Sequence, residues 1–418
     1  MKQAIKFLDE LQGLILLIGK KSGHRATILE IKHLKENDPD RYNELVEELN
    51  NINTDDLMQS HVLNPESLQG QNQKENIQKV LGRQKGEKYF SKYIDQWGWE
   101  QMVNTNLKPE SKYQNLVNYS MLHSLKTDLI NGSKEMMGYE ISNFPILAST
   151  ATDSFNAQAI KFRDSNESII LFEEQTFYFA LKLSKLIISA VPLINGKLNF
   201  EQKKIKENIS KNLTVIENFS LTIFNSMFPA YKKIPFIIDF PKEKQTFLST
   251  CTDSIEFFIM GHELGHILLN HHDKKNTKEF FALNEYAYLA SRNWQKEFEA
   301  DYSGFIFFSN SMSNIHPMDT SFIGLDLMFT VMHILAEAKQ IINGVQNSKI
   351  STTHPPPLKR QQKIRMYIQS LLKSYQVPLE NAVNVSEVFL EIWDLNLKSS
   401  YKETYENLKK FHKEKYRP

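Results

Sequence analysis

The chain has 418 residues, 41% hydrophobic and 24% charged, with 50 basic residues against 49 acidic ones for a net charge of +1. That length can bury a large core over one to three domains, and so even a charge balance gives no electrostatic ground for a nucleic-acid partner. A single cysteine, Cys251, excludes an internal disulfide and fits a reducing compartment, with the cytoplasm as the expected location; no run of 18 uninterrupted apolar residues announces a membrane span.

The first third reads as helical and polar. Leu14-Ile-Leu-Leu-Ile-Gly19 is too short for a signal-peptide core, and Asp9 and Glu10 stand where such a segment would be basic, so it reads as the buried stripe of an amphipathic helix. Asp38-Pro39-Asp40 starts a helix, with proline near the first position and acid in the first turn. Lys108-Pro109-Glu110 is expected to open another, carrying Tyr113, Leu116, Met121 and Leu125, and residues 64–74 have the composition of a loop.

From about Pro145 the pattern changes. Residues 155–162 alternate with a period near two, Asp164-Ser-Asn-Glu167 reads as a turn, and Ser168-Ile-Ile-Leu-Phe172 as a second strand, which together make a hairpin. A strand of this hairpin lying at a sheet edge can pair with an extended peptide through its main chain. Glu174 to Val191 follows at helical spacing, and residues 198–250 alternate lysine-rich helical stretches with Phe236-Ile-Ile-Asp-Phe-Pro241 without a functional signal.

Residues 254–270 carry the chemistry. As a helix they put His262 and His266 one turn apart on one face, where two imidazole nitrogens can hold one metal ion. Glu263 is rotated by about 100°, close enough to take a proton from a water at that metal but angled away from ligation. The helix is apolar nearly all round and therefore buried, and buried histidines need partners. His271 and His272, just past its end, read as a solvated helix terminus. Cys251, eleven residues before His262, reads as a plain buried thiol rather than a ligand.

Residues 280–290 are expected to return as helix, and Ser291 to cap the next one, which carries Glu297-Phe-Glu-Ala-Asp301. Glu297 and Asp301 share a helix face, so one can complete a His2Glu site while the other accepts an N–H from a ligand histidine; Glu299 points away. Phe322 to Ile342 is a long apolar scaffold helix. In Ser351-Thr-Thr-His-Pro-Pro-Pro-Leu-Lys-Arg360 three prolines stiffen a loop holding His354 and Arg360, and the chain then continues as amphipathic helix to a basic tail.

Four of these stretches, in this order, resemble the gluzincin endopeptidases that include the HtpX heat-shock and CAAX-type proteases. Asn156-Ala-Gln-Ala159 is similar to that family's edge strand, with Gln158 in place of an aromatic residue. His262-Glu-Leu-Gly-His266 resembles its zinc helix, Glu297-Phe-Glu-Ala-Asp301 its third-ligand helix, and Thr353-His354-Pro355 with Arg360 its late loop. The resemblance implies one Zn2+ per chain held by His262, His266 and Glu297, with Asp301 accepting from a ligand histidine and Glu263 as general base. It also places His354 or Arg360 near the metal and makes Asn156, Ala157 and Ala159 part of a substrate-pairing edge. His354 is expected either to donate to the oxyanion or to occupy the open metal position in a resting state; Arg360 and Tyr302 are further candidate donors.

The expected fold is α+β and mainly α-helical, a zincin-type catalytic domain with a small β-sheet edging the cleft. Three consecutive segments are expected: a helical, substrate-selecting region at 1–140, the catalytic domain at 141–365, and C-terminal helices at 366–418. The expected activity is zinc-dependent hydrolysis of peptide bonds in a protein or peptide substrate. The alternatives are a phage-defence or toxin protease resembling the Lit type, or a zinc-stabilised protein-binding effector that does not hydrolyse.

Overall fold

The computed structural model describes residues 2–22, 26–54, 57, 108–137, 141, 143–152, 155–162, 165–227, 244–272, 287–289, 294–316, 318–343, 354–371 and 375–415. The fold is α+β and mainly helical. In chain order the elements begin α1 (Lys2–Ser22), α2 (Ile28–Asn37), α3 (Pro39–Asn51) and α4 (Leu116–Met137). Next come β1 (Ile146–Thr150), β2 (Ala157–Phe162), β3 (Ser168–Glu173), α5 (Gln175–Ala190), β4 (Leu193–Ile194), β5 (Lys197–Leu198), α6 (Gln202–Lys211) and α7 (Thr214–Met227). The remainder is α8 (Gln245–Leu268), β6 (Ala287–Leu289), α9 (Trp294–Ile315), α10 (Met318–Asn343), α11 (Pro357–Leu371), α12 (Gln376–Ile392), a π-helical turn Trp393–Leu397, and α13 (Tyr401–Lys415).

Contacts group these elements into two units that interleave along the chain. One unit comprises Met1–Ile130, Glu140–Thr176 and His266–Ser291; the other comprises Asn131–Tyr139, Phe177–Gly265 and Arg292–Pro418.

In the first unit, helix starts are set locally. Thr27 and Glu30 form a capping box on α2, and the Asp38 carboxylate accepts from Arg41 N–H with Pro39 at the first position of α3. Helix α1 buries Ala4, Phe7, Leu8, Leu11, Leu14 and Ile15, one face at helical spacing. That face shares a core with Ile160, Phe162, Ile169 and Leu171 of β2 and β3. Phe7 meets Phe162 edge-on at 5.5 Å, and burying each such side chain stabilises the fold by roughly 1.5–3 kcal/mol.

The strand order is β1-β3-β2-β6, with β1 parallel to β3 and both other pairings antiparallel. The expected hairpin is therefore present, in the register Ala157↔Phe172 to Lys161↔Ser168. Two expectations are corrected in this unit. Residues 287–289 are a strand on β2, where helix was expected. Helix α4 opens at Leu116 rather than near Pro109, because Asn115 Oδ1 accepts from Asn118 N–H at 3.1 Å while the Ser111 hydroxyl donates to Asp9 at 2.7 Å and holds the preceding turn against α1. The loop at 64–74, the stretch 236–241 and the cap at Ser291 lie outside the described residues.

In the second unit α10 is the central helix, packed by α7, α9, α11, α12 and α13. Two of its acids are partnered: Arg365 and Gln361 of α11 hold Asp326, and Trp393 and Lys398 hold Glu337. Among the described residues, Thr320–Ile342 of α10 is long and apolar enough to cross a membrane, and 78% of that window is buried inside the protein. A buried core helix meets the same criterion.

Candidate metal centre

Helix α8 begins nine residues earlier than the apolar run suggested, and it carries His262, Glu263 and His266 as one continuous surface. All three are buried, and so is Glu297 in the first turn of α9. Candidate donor atoms of His262, His266 and Glu297 lie within 4.8 Å of one another, with His262 Nε2 3.7 Å from Glu297 Oε2. Zinc–ligand bonds of about 2.0–2.1 Å in a tetrahedron imply ligand-to-ligand separations of about 3.3 Å, so the group needs only small adjustments to close on a metal. Two neutral nitrogens and one carboxylate are also the donor types that suit zinc. The residues fit the ion that the sequence implies.

What brings α9 so close to α8 is the absence of side chains at their crossing. A Cβ on Gly304 would stand 2.9 Å from His262 N and 3.0 Å from Phe258 O, and one on Gly261 would stand 3.1 Å from Gly304 Cα. Backbone meets backbone there, which only glycine permits, and one turn away Gly265 gives the same clearance to Ala300 and Ser303. A glutamate two turns earlier on α9 is then short enough a reach from His262.

Behind His262 lies a charged stack. His262 Nδ1 is 3.0 Å from Asp301 Oδ1, and Arg360 binds the same carboxylate twice, Nε to Oδ2 at 2.8 Å and Nη2 to Oδ1 at 2.5 Å. Burial alone would push the Asp301 carboxyl up, but the Arg360 charge and hydrogen bonds hold it down at about 2. Asp301 is thus an anion that accepts the Nδ1 proton of His262, which leaves Nε2 bare toward Glu297. Burial disfavours the charged form of His262, but the Asp301 hydrogen bond and the charges of Asp301 and Glu297 together outweigh it and raise its pKa.

Arg360 is one of the candidate donors. Its Nε and Nη2 go to Asp301, with Nη2 3.5 Å from His262 Nδ1, so it stands behind the His262 ring and orients it. His354 lies beside the donor group, its Nε2 3.7 Å from Glu297 Oε1 and its side chain 35% exposed. Tyr302 is turned to the surface, stacked edge-on against Tyr367. Glu299 points away and pairs with Gln295. Cys251, about 16 Å along α8 from His262 at 1.5 Å per residue, is a free, buried thiol whose pKa is pushed well up by burial.

The helix exit is the part that sequence reasoning missed. His271 and His272 are buried rather than solvated. His271 Nδ1 is 2.9 Å from His266 Nδ1, and His272 Nε2 is 3.2 Å from the carbonyl of Ala159. The edge-strand expectation is narrowed by the same region. Over residues 160–162, β2 is an inner strand covered by β6. Of the three residues singled out there, Asn156 exchanges hydrogen bonds with Thr176 and accepts from Glu173 N–H, Ala157 pairs with Phe172, and the Ala159 carbonyl meets His272.

Comparison with curated proteins and with solved structures gives no match. A family model does match, over residues 244–368, the span that holds His262, Glu263, His266, Glu297, Asp301, His354 and Arg360. That family is peptidase family M48, HExxH zinc metallopeptidases like the HtpX proteases, and this segment, under a third of the chain, is similar to it.

Proposed function

We propose that the chain is a zinc-dependent endopeptidase that hydrolyses peptide bonds in a protein or peptide substrate, with His262, His266 and Glu297 holding one zinc. The observation that carries this reading is the convergence of those three donors within 4.8 Å, with Glu263 on the same helix. Zinc bound there supplies Lewis acidity, polarising a carbonyl and lowering the pKa of a water to about 7.

The chain supplies the rest. Glu263 takes the proton of the attacking water and returns it to the leaving amine. Asp301, held by Arg360, keeps His262 in the tautomer that presents Nε2. His354, its Nε2 3.7 Å from Glu297 Oε1, donates to the developing oxyanion from that side. The helical first third suits substrate selection, and the single buried thiol suits a reducing compartment such as the cytoplasm.

The test is Glu263→Gln in the full-length protein. It should retain one zinc per chain by elemental analysis while hydrolysis falls by at least about a hundredfold, the usual share of positioned proton transfer. Full activity in Glu263→Gln would remove the reading, whereas bound zinc with no hydrolysis by wild type, on proteome-derived peptides or folded proteins, favours the non-hydrolysing effector. In the same assay His354→Ala should lower turnover by roughly a hundredfold to a thousandfold with zinc content unchanged, the usual cost of one oxyanion donor. A faster His354→Ala would mean that the histidine instead occupies the open metal position at rest.

A further inference from the structure

The two metal-binding histidines of α8 have different neighbours on their Nδ1 atoms. For His262 the neighbour is a carboxylate, and for His266 it is another histidine, His271, at 2.9 Å with the two rings edge-to-face at 5.1 Å. Both rings are 3% exposed. Two imidazole nitrogens at that separation share one proton, so one ring donates and the other accepts. If His266 binds metal through Nε2, as the zinc reading requires, its proton must sit on Nδ1, and His271 Nδ1 must be the acceptor.

The chain is folded to make this contact. Asn270 adopts φ 54°, a left-handed conformation that asparagine tolerates and that reverses the chain at the end of α8. His271 N–H then donates to His266 O at 2.9 Å. On either side of His271 the neighbours are tied to strand β2, Asn270 Oδ1 accepting from Lys161 Nζ at 2.8 Å and His272 Nε2 donating to Ala159 O at 3.2 Å. Three consecutive residues thus have three separate anchors, and the middle one is the ring of a metal ligand.

We propose that His271 is a positioning residue for His266: it accepts the Nδ1 proton, fixes the tautomer and plane of that ring, and presents Nε2 to the metal. His271 itself stays off the metal, and it does for His266, without charge, what Asp301 does for His262. The inference rests on the zinc reading above.

It is tested on the full-length protein by zinc affinity, measured by competition with a chromogenic chelator, for wild type, His271→Phe and His271→Asn. Phenylalanine keeps the edge-to-face ring and removes the acceptor; asparagine returns an acceptor near the Nδ1 position. His271→Phe should bind zinc about ten- to a hundredfold more weakly, the usual effect of losing such a partner, and His271→Asn should recover to within a few-fold of wild type. In zinc-loaded wild type, long-range 1H–15N spectra should show His271 protonated at Nε2 and bare at Nδ1.

Wild-type affinity in His271→Phe, equal weakness in both variants, or a proton on His271 Nδ1 would each overturn the assignment. Should His271→Phe fail to fold, the asparagine variant and the wild-type tautomer decide. Wild type that binds no zinc would remove the metal reading and this one together, whereas tight wild-type binding with an unaffected His271→Phe would remove this one alone.

Discussion

The surroundings of His262 and His266 make an instructive pair. His262 backs onto a buried ion pair, Asp301 with Arg360, drawn from two other helices; His266 backs onto a neutral ring five residues further along the chain. The first arrangement draws on electrostatics that depend on both charges being present, because a lone carboxylate at 0% exposure would carry a large desolvation penalty. The second draws on local backbone geometry and has no charge to lose. One protein thus holds two chemically identical imidazoles by two different physical means, and the two should fail differently when broken.

The largest effect is expected on the charged side. Arg360→Ala leaves Asp301 buried without its cation, and breaking such a pair costs about 3–5 kcal/mol. Metal-free Arg360→Ala should therefore unfold well below wild type in denaturant titration. The double variant Arg360→Met with Asp301→Leu should regain much of that loss while still binding zinc poorly. If Arg360→Ala alone is as stable as wild type, the ion pair is not what organises this side.

A smaller effect is expected from the crossing that places Glu297 opposite His262. Gly304→Ala puts a methyl against His262 N and Phe258 O, backbone atoms that can only move together with α8. Overpacking of this kind costs about 1–3 kcal/mol. Zinc affinity should drop with it, because the separation of His262 from Glu297 widens while the Nδ1 partner of His266 is untouched. Unchanged affinity and stability would show that the helices have room to spare.

The smallest is a control on the same helix. Glu256 is buried in α8; among the described residues no cation stands against it and its Oε1 has no hydrogen-bond partner, and burial followed by the charge of Asp253 pushes its pKa well up. A carboxyl whose folded pKa is raised contributes stability below its unfolded value, near 4.5, and loses it as pH rises through the folded value. Glu256→Gln should therefore match wild type below about pH 4.5 and exceed it near neutral pH by roughly 1 kcal/mol, an ordinary size for one substitution. A variant less stable than wild type at pH 7 would mean that the carboxylate is partnered when charged, as Asp301 is.

The same contrast explains what was legible in the sequence. The i,i+4 spacings His262/His266 and Glu297/Asp301 follow from helical geometry alone, so the donor group was readable without a structure. Arg360 was singled out, but its place behind His262 depends on how α11 lies against α9, which no local pattern encodes. His271 was passed over because a histidine after a helix usually meets water, and only the left-handed turn at Asn270 sends it back onto His266. The hairpin was readable from its alternation; its covering by β6 was not, since residues 287–289 are short and were read at helical spacing.

The Gly261–Gly304 crossing also constrains motion. Packed helices ordinarily shift by sliding, with side chains between them changing rotamers to absorb the displacement. Where backbone rests on backbone there is no such layer, so sliding α9 along α8 requires lifting it off, which opposes any change in the distance from His262 to Glu297. The partly exposed His354, preceding the first turn of α11, lies outside that crossing, its Nε2 3.7 Å from Glu297 Oε1, so the spacing of His262 and Glu297 does not depend on where its ring sits.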